Sequence, residues 1–292
     1  MKSLVTTGGN GLVGSRITEL LADEFSFNNL DLRSDPPVDI TDETAVARAL
    51  SQSSAEWVIH LAAITDVTKA HEENGDTNGL TYRVNVLGTQ AVANACKSTG
   101  KKLLHISTAY VFNGEKEEPY SEEDTPSPIE WYGETKAKAE AVVLATDVHS
   151  VILRIDNPFR STPFEKQDIV QRIVQKLIAG TLPPQFSDSH FGPTFIEDTA
   201  RIIRWILSSN ATGVYHATND ESWTPFDFAK LVANKVGKQS EVREGSLTEF
   251  LTTTTRPYQR NTALSCKKLL TDSGLQLTPI VEAVQLVAIS NL

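Results

Sequence analysis

Tyr132 and Lys136 are the two residues of this chain whose types and spacing point most directly to chemistry. The alanine-rich run from Ala137 to Ala141 predicts a helix here, so both side chains project from one helical face, one turn apart. A neighbouring ammonium favours the phenolate, and a tyrosine whose pKa is brought towards neutrality can exchange protons with a substrate. The same spacing also occurs in solvated surface turns, so this pair needs support from elsewhere in the chain.

The first support is a glycine-rich turn, Thr7-Gly8-Gly9-Asn10-Gly11-Leu12-Val13-Gly14. A β-prone run precedes it, from Lys2 to Thr6, and apolar residues at helical spacing follow it. Strand, glycine turn and helix in this order begin a dinucleotide-binding unit, in which backbone amides approach a pyrophosphate at the positive end of the helix. The spacing Gly-x-x-Gly-x-x-Gly differs from Gly-x-Gly-x-x-Gly. A glycine turn can also be a simple tight connection, but the flanking strand and helix favour binding.

Asp31 is the second support, because it ends a predicted strand from Phe25 to Leu32. A carboxylate in that place can accept both ribose hydroxyls of NAD and repels the extra phosphate of NADP. Arg16 and Arg33 lie close enough in sequence to pair with a 2′-phosphate instead. Asp31 could also be an ordinary turn residue. We therefore expect NADH as the cofactor, with NADPH tolerated.

Composition narrows the class of protein. The chain has 292 residues and a net charge of −10, which argues against nucleic acid and acidic membranes as partners. Cys96 and Cys266 are far apart and no signal peptide is visible, which favours buried thiols in the cytoplasm. No apolar stretch approaches the ~20 residues that a membrane span needs, and no metal-ligand cluster is visible, so we expect neither.

The order of predicted elements indicates the fold. Strands and helices alternate up to about Ile155, including a helix from Thr81 to Ser98 with Val84, Leu87, Ala91 and Ala95 on one apolar stripe. This alternation predicts an α/β fold, a doubly wound parallel sheet of the Rossmann type with ligands at the carboxyl ends of the strands.

Beyond Asn157 the alternation loosens, and we expect a smaller, interleaved C-terminal substrate lobe. Residues 1–156 would form the dinucleotide-binding domain, rejoined by about 195–220 through a strand at 213–217, and residues 157–292 would mainly bind substrate. Further helices are predicted at about 168–179, 195–208, 224–236 and 279–290.

Several motifs, met in order along the chain, resemble the extended short-chain dehydrogenases/reductases. They are the glycine turn, Val38-Asp39-Ile40-Thr41-Asp42, Leu61-Ala62-Ala63, Asn85-Val86-Leu87-Gly88-Thr89, His105-Ile106-Ser107-Thr108 and Tyr132-x-x-x-Lys136. A narrower resemblance is to the dTDP-4-dehydrorhamnose reductase group. It rests on Tyr110-Val111-Phe112-Asn113-Gly114, Gly192-Pro193-Thr194 with Asp198, and Arg256-Pro257 leading to Leu264 and Lys268-Leu269.

The resemblance implies an NAD(P)H-dependent reductase of the 4-keto group of a nucleotide-activated deoxysugar, and it is compatible with a homodimer. Tyr132 would donate the proton, Lys136 would hold the nicotinamide ribose and lower the tyrosine pKa, and Thr108 would hydrogen-bond the carbonyl oxygen. Thr108, Ala109 and Asn157 would contact the sugar. Besides Tyr132 and Lys136, the implied cofactor residues are Gly8, Gly11, Leu12, Val13, Gly14, Asp31, Asp39, Ile40, Ala62, Ala63, Ile64, Thr65 and Asn85.

Two departures from that group concern the substrate. Ala109 stands where the group usually has aspartate, and Ile155-Asp156-Asn157 stands where it usually has Thr-Ser-Trp. We therefore expect a deoxysugar other than rhamnose to be a plausible substrate.

Two alternatives remain open at this point. One is a nucleotide-sugar 4-epimerase, whereas a 4,6-dehydratase is disfavoured because Ala109-Tyr110 replaces the Asp-Glu pair that it needs. The other is a non-catalytic dinucleotide-binding subunit, since the regulatory subunit of methionine adenosyltransferase resembles the same reductase group.

The placement of Asp31 leads to a first prediction. Replacing Asp31 by alanine removes the carboxylate that discriminates between the cofactors, so the ratio of the NADH and NADPH dissociation constants should shift towards NADPH. A repulsion of ~1.4 kcal/mol would appear as a tenfold change in a fluorescence titration. An unchanged ratio would contradict the role given to Asp31.

Overall fold

Six parallel strands form the sheet that organises the chain in a computed structural model, which describes residues 1–289. The described residues form ten strands: β1 (Lys2–Thr7), β2 (Phe25–Leu30), β3 (Trp57–His60), β4 (Lys102–Thr108), β5 (Ser150–Ile155), β6 (Pro158–Phe159), β7 (Gln185–Phe186), β8 (Thr194–Phe195), β9 (Gly213–His216) and β10 (Glu244–Gly245). Strands β1 to β5 and β9 make the large sheet, while β6 pairs with β8 and β7 pairs with β10. The helices are α1 (Leu12–Leu20), α2 (Glu43–Gln52), α3 (Val67–Glu72), α4 (Leu80–Tyr82), α5 (Thr89–Thr99), α6 (Trp131–Ala145), α7 (Ile169–Ile178), α8 (Ile196–Ser208), α9 (Pro225–Lys235), α10 (Leu247–Phe250), α11 (Lys267–Ser273) and α12 (Ile280–Leu286). A π-helical stretch joins α4 to α5 (Arg83–Gly88), and two 3-10 turns occur at Ala109–Val111 and Gln239–Glu241.

The order of the large sheet is β2-β1-β3-β4-β5-β9, and its neighbouring strands are all parallel. Strand order reverses between β1 and β3, and in such sheets ligands bind in the crevice at the reversal point. The predicted doubly wound α/β sheet is confirmed.

Both faces of the sheet are covered by helices because neighbouring residues on each strand point to opposite sides. Leu4, Ile59, Leu104 and Leu153 belong to a buried cluster with residues of α1 and α8. Their neighbours in sequence, which include Val5, Val58, Leu103 and Ile152, belong to a second cluster with residues of α2 and α5. The continuous apolar runs of these strands therefore fill two cores at once.

The C-terminal half contributes a third cluster, formed by α7, α9 and α12 with Phe159, Phe191 and Phe195. The chain also returns to the large sheet, because β9 pairs with β5 and α8 packs on α1. Ser290, the last residue of the predicted C-terminal helix, lies outside the described residues, and α12 itself ends at Leu286. Within residues 1–289, every helix is too short or too polar to cross a bilayer.

Two predicted elements differ in detail from the structure. The second strand ends at Leu30 rather than Leu32, so Asp31 begins the loop that follows. The predicted helix from Thr81 to Ser98 is divided by the π-helical stretch, and Leu87 is exposed instead of belonging to the apolar stripe.

A buried ion pair fixes α6 to the sheet. Arg154 on β5 donates from Nη2 and Nε to the two carboxylate oxygens of Glu140 on α6, at 2.6 and 2.9 Å. The two side chains are 3% and 4% exposed, and the Ser107 hydroxyl donates to the same carboxylate. Since α6 carries Tyr132 and Lys136, this pair sets their position relative to β4 and β5.

Replacing Glu140 by glutamine should destabilise the fold by about 3–5 kcal/mol, because the buried guanidinium loses its counter-charge. The matched control is Glu134→Gln on the same helix, which breaks an exposed pair with Lys138 at 3.3 Å and should cost about 1 kcal/mol or less. Urea unfolding would measure both variants. Equal losses of stability would show that the buried pair contributes no more to the free energy of unfolding than the exposed pair.

Candidate active site

A groove of about 1150 Å³ runs along the carboxyl ends of the strands, on both sides of the reversal between β1 and β3. It is lined by nearly all of the residues predicted for the cofactor: Gly8, Gly11, Leu12, Val13, Gly14, Asp31, Asp39, Ile40, Ala62, Ala63, Ile64, Thr65, Tyr132 and Lys136. Thr108 and Asn157 also line it. These residues are thus brought together in one place.

The glycine turn fits a dinucleotide at its pyrophosphate. Gly8 has φ +68°, and a Cβ there would lie 2.6 Å from the backbone nitrogen of Ala62, so a larger residue would push apart two walls of the groove. Gly11 occupies the N-cap of α1 and makes no side-chain cap, which leaves the amides of Leu12 and Val13 available to an anion.

Buried His60 positions the opposite wall. Its Nδ1 lies 2.6 Å from the Thr7 hydroxyl, and its Nε2 lies 2.9 Å from the Thr89 hydroxyl. Thr89 donates to Asn85 O, so the network assigns the proton of His60 to Nε2. Thr7 in turn accepts from the amide of Ala62, which fixes the start of the 62–65 segment.

Asn85 is fully buried behind that segment, so its predicted direct contact with the cofactor needs correction. Its amide accepts from Ile64 N at 2.8 Å and donates to Ile64 O and to the Thr135 hydroxyl. Asn85 therefore ties the groove wall at Ile64 to Thr135 on α6.

The N-terminus of α6 is held by Glu130, whose carboxylate accepts from the amides of Tyr132 and Gly133 at 2.9 and 2.6 Å. Burial raises the pKa of Glu130 to about 7, although these two hydrogen bonds favour the charged form. A Cβ on Gly133 would collide with the carbonyl oxygen of Tyr110, so glycine permits the loop after β4 to pack directly on the helix.

Lys136 extends from α6 towards β4. Its Nζ donates to Ile106 O at 2.8 Å and lies 3.3 Å from His105 Nε2. Burial lowers the pKa of Lys136 to about 8, while the charge of Glu140 acts in the opposite direction. The ammonium is thus held between two acceptors beneath the groove.

The expected lowering of the Tyr132 pKa is wrong for the structure as described. Burial raises the pKa of Tyr132 above its ordinary value, and the interaction with the Thr108 side chain offsets this only in part. The charges of Glu130 and Asp156 act in the same direction as burial. Desolvation is the largest cause and the nearby carboxylates act with it, so the phenol stays protonated at neutral pH.

Ala109 also needs correction as a substrate contact. It is 0% exposed and packs with Val111, Phe112, Tyr120 and Leu264, so its methyl group faces the core rather than the groove. The next residue, Tyr110, lines the groove in its place. The 3-10 turn that follows β4 rotates the chain and exchanges the two positions.

A second cavity of about 280 Å³ adjoins the groove. Five residues line both spaces: Tyr110, Asn157, Ile169, Arg172 and Lys176. Of these only Asn157 was expected from sequence. Arg172 and Lys176 lie one turn apart on α7, a pairing visible in the sequence in the same way as Tyr132 and Lys136.

Asp156 is another groove residue that sequence reasoning noticed only as a departure. It is buried at the groove wall, and its carboxylate accepts from the Thr262 hydroxyl at 2.6 Å, from Gly192 N at 3.2 Å and from Asn157 Nδ2 at 2.9 Å. Burial raises its pKa to about 7, against the effect of those hydrogen bonds. Asp156 therefore joins three segments of chain around the second cavity.

The two arginines that complicated the cofactor prediction lie in different settings. Arg16 is 9% exposed and is engaged by Glu19, Glu197 and the Ser161 hydroxyl, which removes it from the groove. Arg33 lines the groove beside Asp31.

Several known proteins are similar to this chain in sequence or in structure. A dTDP-4-dehydrorhamnose reductase of Mycobacterium tuberculosis is 32% identical over 254 residues, covering 85% of this chain and 80% of that protein. The crystal structure of dTDP-4-dehydrorhamnose reductase from Bacillus anthracis in complex with NADP superposes with a TM-score of 0.88 at 26% identity and covers 98% of both chains. The bovine methionine adenosyltransferase 2 subunit beta is 26% identical over 95% of this chain and 84% of its own length. The sequence model described as the RmlD substrate binding domain matches residues 1–290, and the chain belongs to that family.

Proposed function

We propose that the protein reduces the 4-keto group of a nucleotide-activated deoxysugar with NADH, and that it tolerates NADPH. The observation that carries this proposal is the placement of Thr108, Tyr132 and Lys136 on the wall of a dinucleotide-sized groove that opens into a cavity bearing Arg172 and Lys176. The cofactor complex of the B. anthracis reductase supports a nicotinamide dinucleotide in the groove.

Different residues of the groove suit different parts of the cofactor. The carboxylates of Asp31 and Asp39 suit the adenosine, and the amides of Leu12 and Val13 suit the pyrophosphate. Lys136 suits the nicotinamide ribose. When bound, the dihydronicotinamide supplies a hydride to the ketone carbon.

The chain itself supplies the proton. As the ketone oxygen gains negative charge, Thr108 and Tyr132 donate hydrogen bonds to it and Tyr132 transfers its proton. The raised pKa of Tyr132 suits this direction of transfer, because the phenol is fully protonated when the substrate arrives. Lys136 then stabilises the phenolate that remains.

The second cavity suits the nucleotide diphosphate of the substrate. Arg172 and Lys176 present two cations at the boundary between cavity and groove, where a pyrophosphate would lie between the sugar and the base. Phe186 and Tyr258 line the same cavity and offer aromatic faces to a base.

The sugar would lie between the two spaces, next to Tyr110 and Asn157. Asn157 presents an amide where the reductase group usually presents an aromatic ring, which favours a sugar with a different pattern of hydroxyl groups. A panel of 4-keto-deoxysugar nucleotides, assayed by NADH oxidation, tests this. Strong preference for 4-dehydrorhamnose over every other sugar would contradict it.

The assignment of the two lobes is part of the proposal. Residues 1–156 with about 195–220 would bind the dinucleotide, supported by the return of β9 to the sheet, and residues 157–292 would mainly bind substrate.

A cytoplasmic location is supported by Cys96 and Cys266, which are buried thiols whose pKa is raised by burial to about 12. A homodimer is supported by the exposed Leu87 and Leu144 on neighbouring helices.

A regulatory subunit is the alternative that the similarity to the bovine protein favours. A 4-epimerase is the other, since it would use the same catalytic groups. Stoichiometric consumption of external NADH separates the three, because an epimerase recycles its bound cofactor and a regulatory subunit turns nothing over.

Replacing Tyr132 by phenylalanine should lower kcat by ~100-fold or more, the usual contribution of a positioned acid, while NADH still binds. Steady-state assays and a binding titration measure the two effects separately. The control is Tyr215→Phe, which removes a hydroxyl that bonds Asp272 away from the groove. Near wild-type turnover by the Tyr132 variant would mean that the proton comes from another group.

Lys136 should lose its charge as the pH rises through about 8, so kcat/KM should fall on that side. His105→Leu removes one acceptor of the ammonium and should move this limb to lower pH by about one unit, whereas His105→Gln retains an acceptor and should resemble the wild type. His60 and Glu140 also interact with this lysine and are unchanged in both variants. Coincident pH profiles for the leucine variant and the wild type would exclude a role for His105.

A further inference from the structure

One segment, residues 161–168, crosses the mouth of the groove, and we call it the strap. At one rim, Glu165 Oε1 accepts from Arg33 Nη1 at 2.8 Å. At the other rim, Lys166 Nζ donates to the Thr65 hydroxyl at 2.9 Å. Lys166 and the next two residues line the groove. The strap therefore contacts both walls of the space proposed for the dinucleotide.

The strap is anchored at its base by Arg160. This guanidinium donates to the carbonyl of Leu12 and, at 2.8 Å, to the hydroxyl of Ser15, both on α1. Since α1 begins at the pyrophosphate end of the groove, the strap is held in register with the glycine turn. Its tip, at Glu165, is thereby placed over the adenosine end.

Arg33 connects the strap to the residue proposed to bind the adenosine ribose. Its backbone amide donates to Asp31 Oδ1 at 3.0 Å, and its Nε lies 4.0 Å from the same oxygen. Its Nη2 donates to Asn10 O at 2.6 Å, in the glycine turn. The guanidinium is thus a cation beside the ribose position, where a 2′-phosphate would be placed.

We propose that Glu165 is a specificity-determining residue that acts through Arg33 and shifts cofactor preference towards NADH. The inference rests on the proposed binding of the adenosine ribose by Asp31. A 2′-phosphate would need the Arg33 donors that Glu165 occupies, and it would also meet the negative charge of Glu165 itself. The 2′-hydroxyl of NADH needs neither, because it donates to Asp31.

The pair is exposed, at 57% for Arg33 and 67% for Glu165, and exposed pairs of this kind are weak. A phosphate can therefore displace the carboxylate at a modest cost. The result is a graded preference for NADH in which NADPH still binds. Arg33 remains available to the phosphate once Glu165 has moved away.

The test is Glu165→Gln, which keeps the size of the side chain and removes its charge. Dissociation constants for NADH and NADPH are measured by dihydronicotinamide fluorescence in the full chain without substrate. NADPH binding should tighten by roughly three- to tenfold while NADH binding stays within about twofold, and the gain should shrink in high salt. An unchanged ratio of the two constants, with both cofactors binding, overturns this inference alone. If the wild-type chain binds neither cofactor, the proposed function is overturned as well.

Two further variants separate charge competition from simple opening of the strap. Lys166→Met breaks the contact with Thr65 but leaves Glu165 on Arg33, so it should change both affinities by the same factor. If it instead improves NADPH selectively, as Glu165→Gln should, opening of the strap is the cause and the proposal is wrong. The second control adds Glu165→Gln to Arg33→Ala. Compared with Arg33→Ala alone, this double variant should show no selective gain in NADPH affinity, and a gain that persists also overturns the proposal.

Discussion

The parallel register of β1, β3 and β4 is the constraint on which the site depends. Thr7 is paired with His60, and His60 is paired with His105, so β1 and β3 end at one level, beside which β4 continues to Thr108. Loops that leave from this level are forced to share one edge, and their polar groups can bond one another directly. The hydrogen bonds of His60 and the position of the Lys136 ammonium both follow from that alignment. A shift of register at any of the three strands would separate groups that now touch.

Burial acts on the two groups of the proposed proton transfer in opposite directions. It raises the pKa of Tyr132 and lowers that of Lys136, because each charged form is disfavoured away from water. A simple pairing argument expects a phenolate beside an ammonium. The structure instead favours a protonated phenol next to a lysine that is close to losing its proton, which is suitable for giving a proton to substrate and recovering it afterwards.

Much of this arrangement could be predicted from sequence, since strand runs, the glycine turn and Tyr132 with Lys136 are local patterns with a direct physical meaning. What failed depended on backbone details that residue types do not reveal. The π-helical stretch adds residues to one turn, so the apolar stripe expected from Val84 and Leu87 changes phase, and Leu87 turns to solvent at 44% exposure. A single 3-10 turn likewise buried Ala109. The position of Asp156 depends on contacts between distant segments, which one sequence does not display.

The carboxylate of Asp156 has a consequence for any attempt to change what this protein accepts. It joins the end of β5 to Gly192 and Thr262, which lie far apart in the chain but share one small group of atoms. The wall of the second cavity is therefore a single unit made of three pieces of sequence. A chimera that takes only one of these segments from a relative would leave the carboxylate without its hydrogen-bond donors, or the donors without the carboxylate. Exchanges of pocket between members of this family should transfer the three segments together.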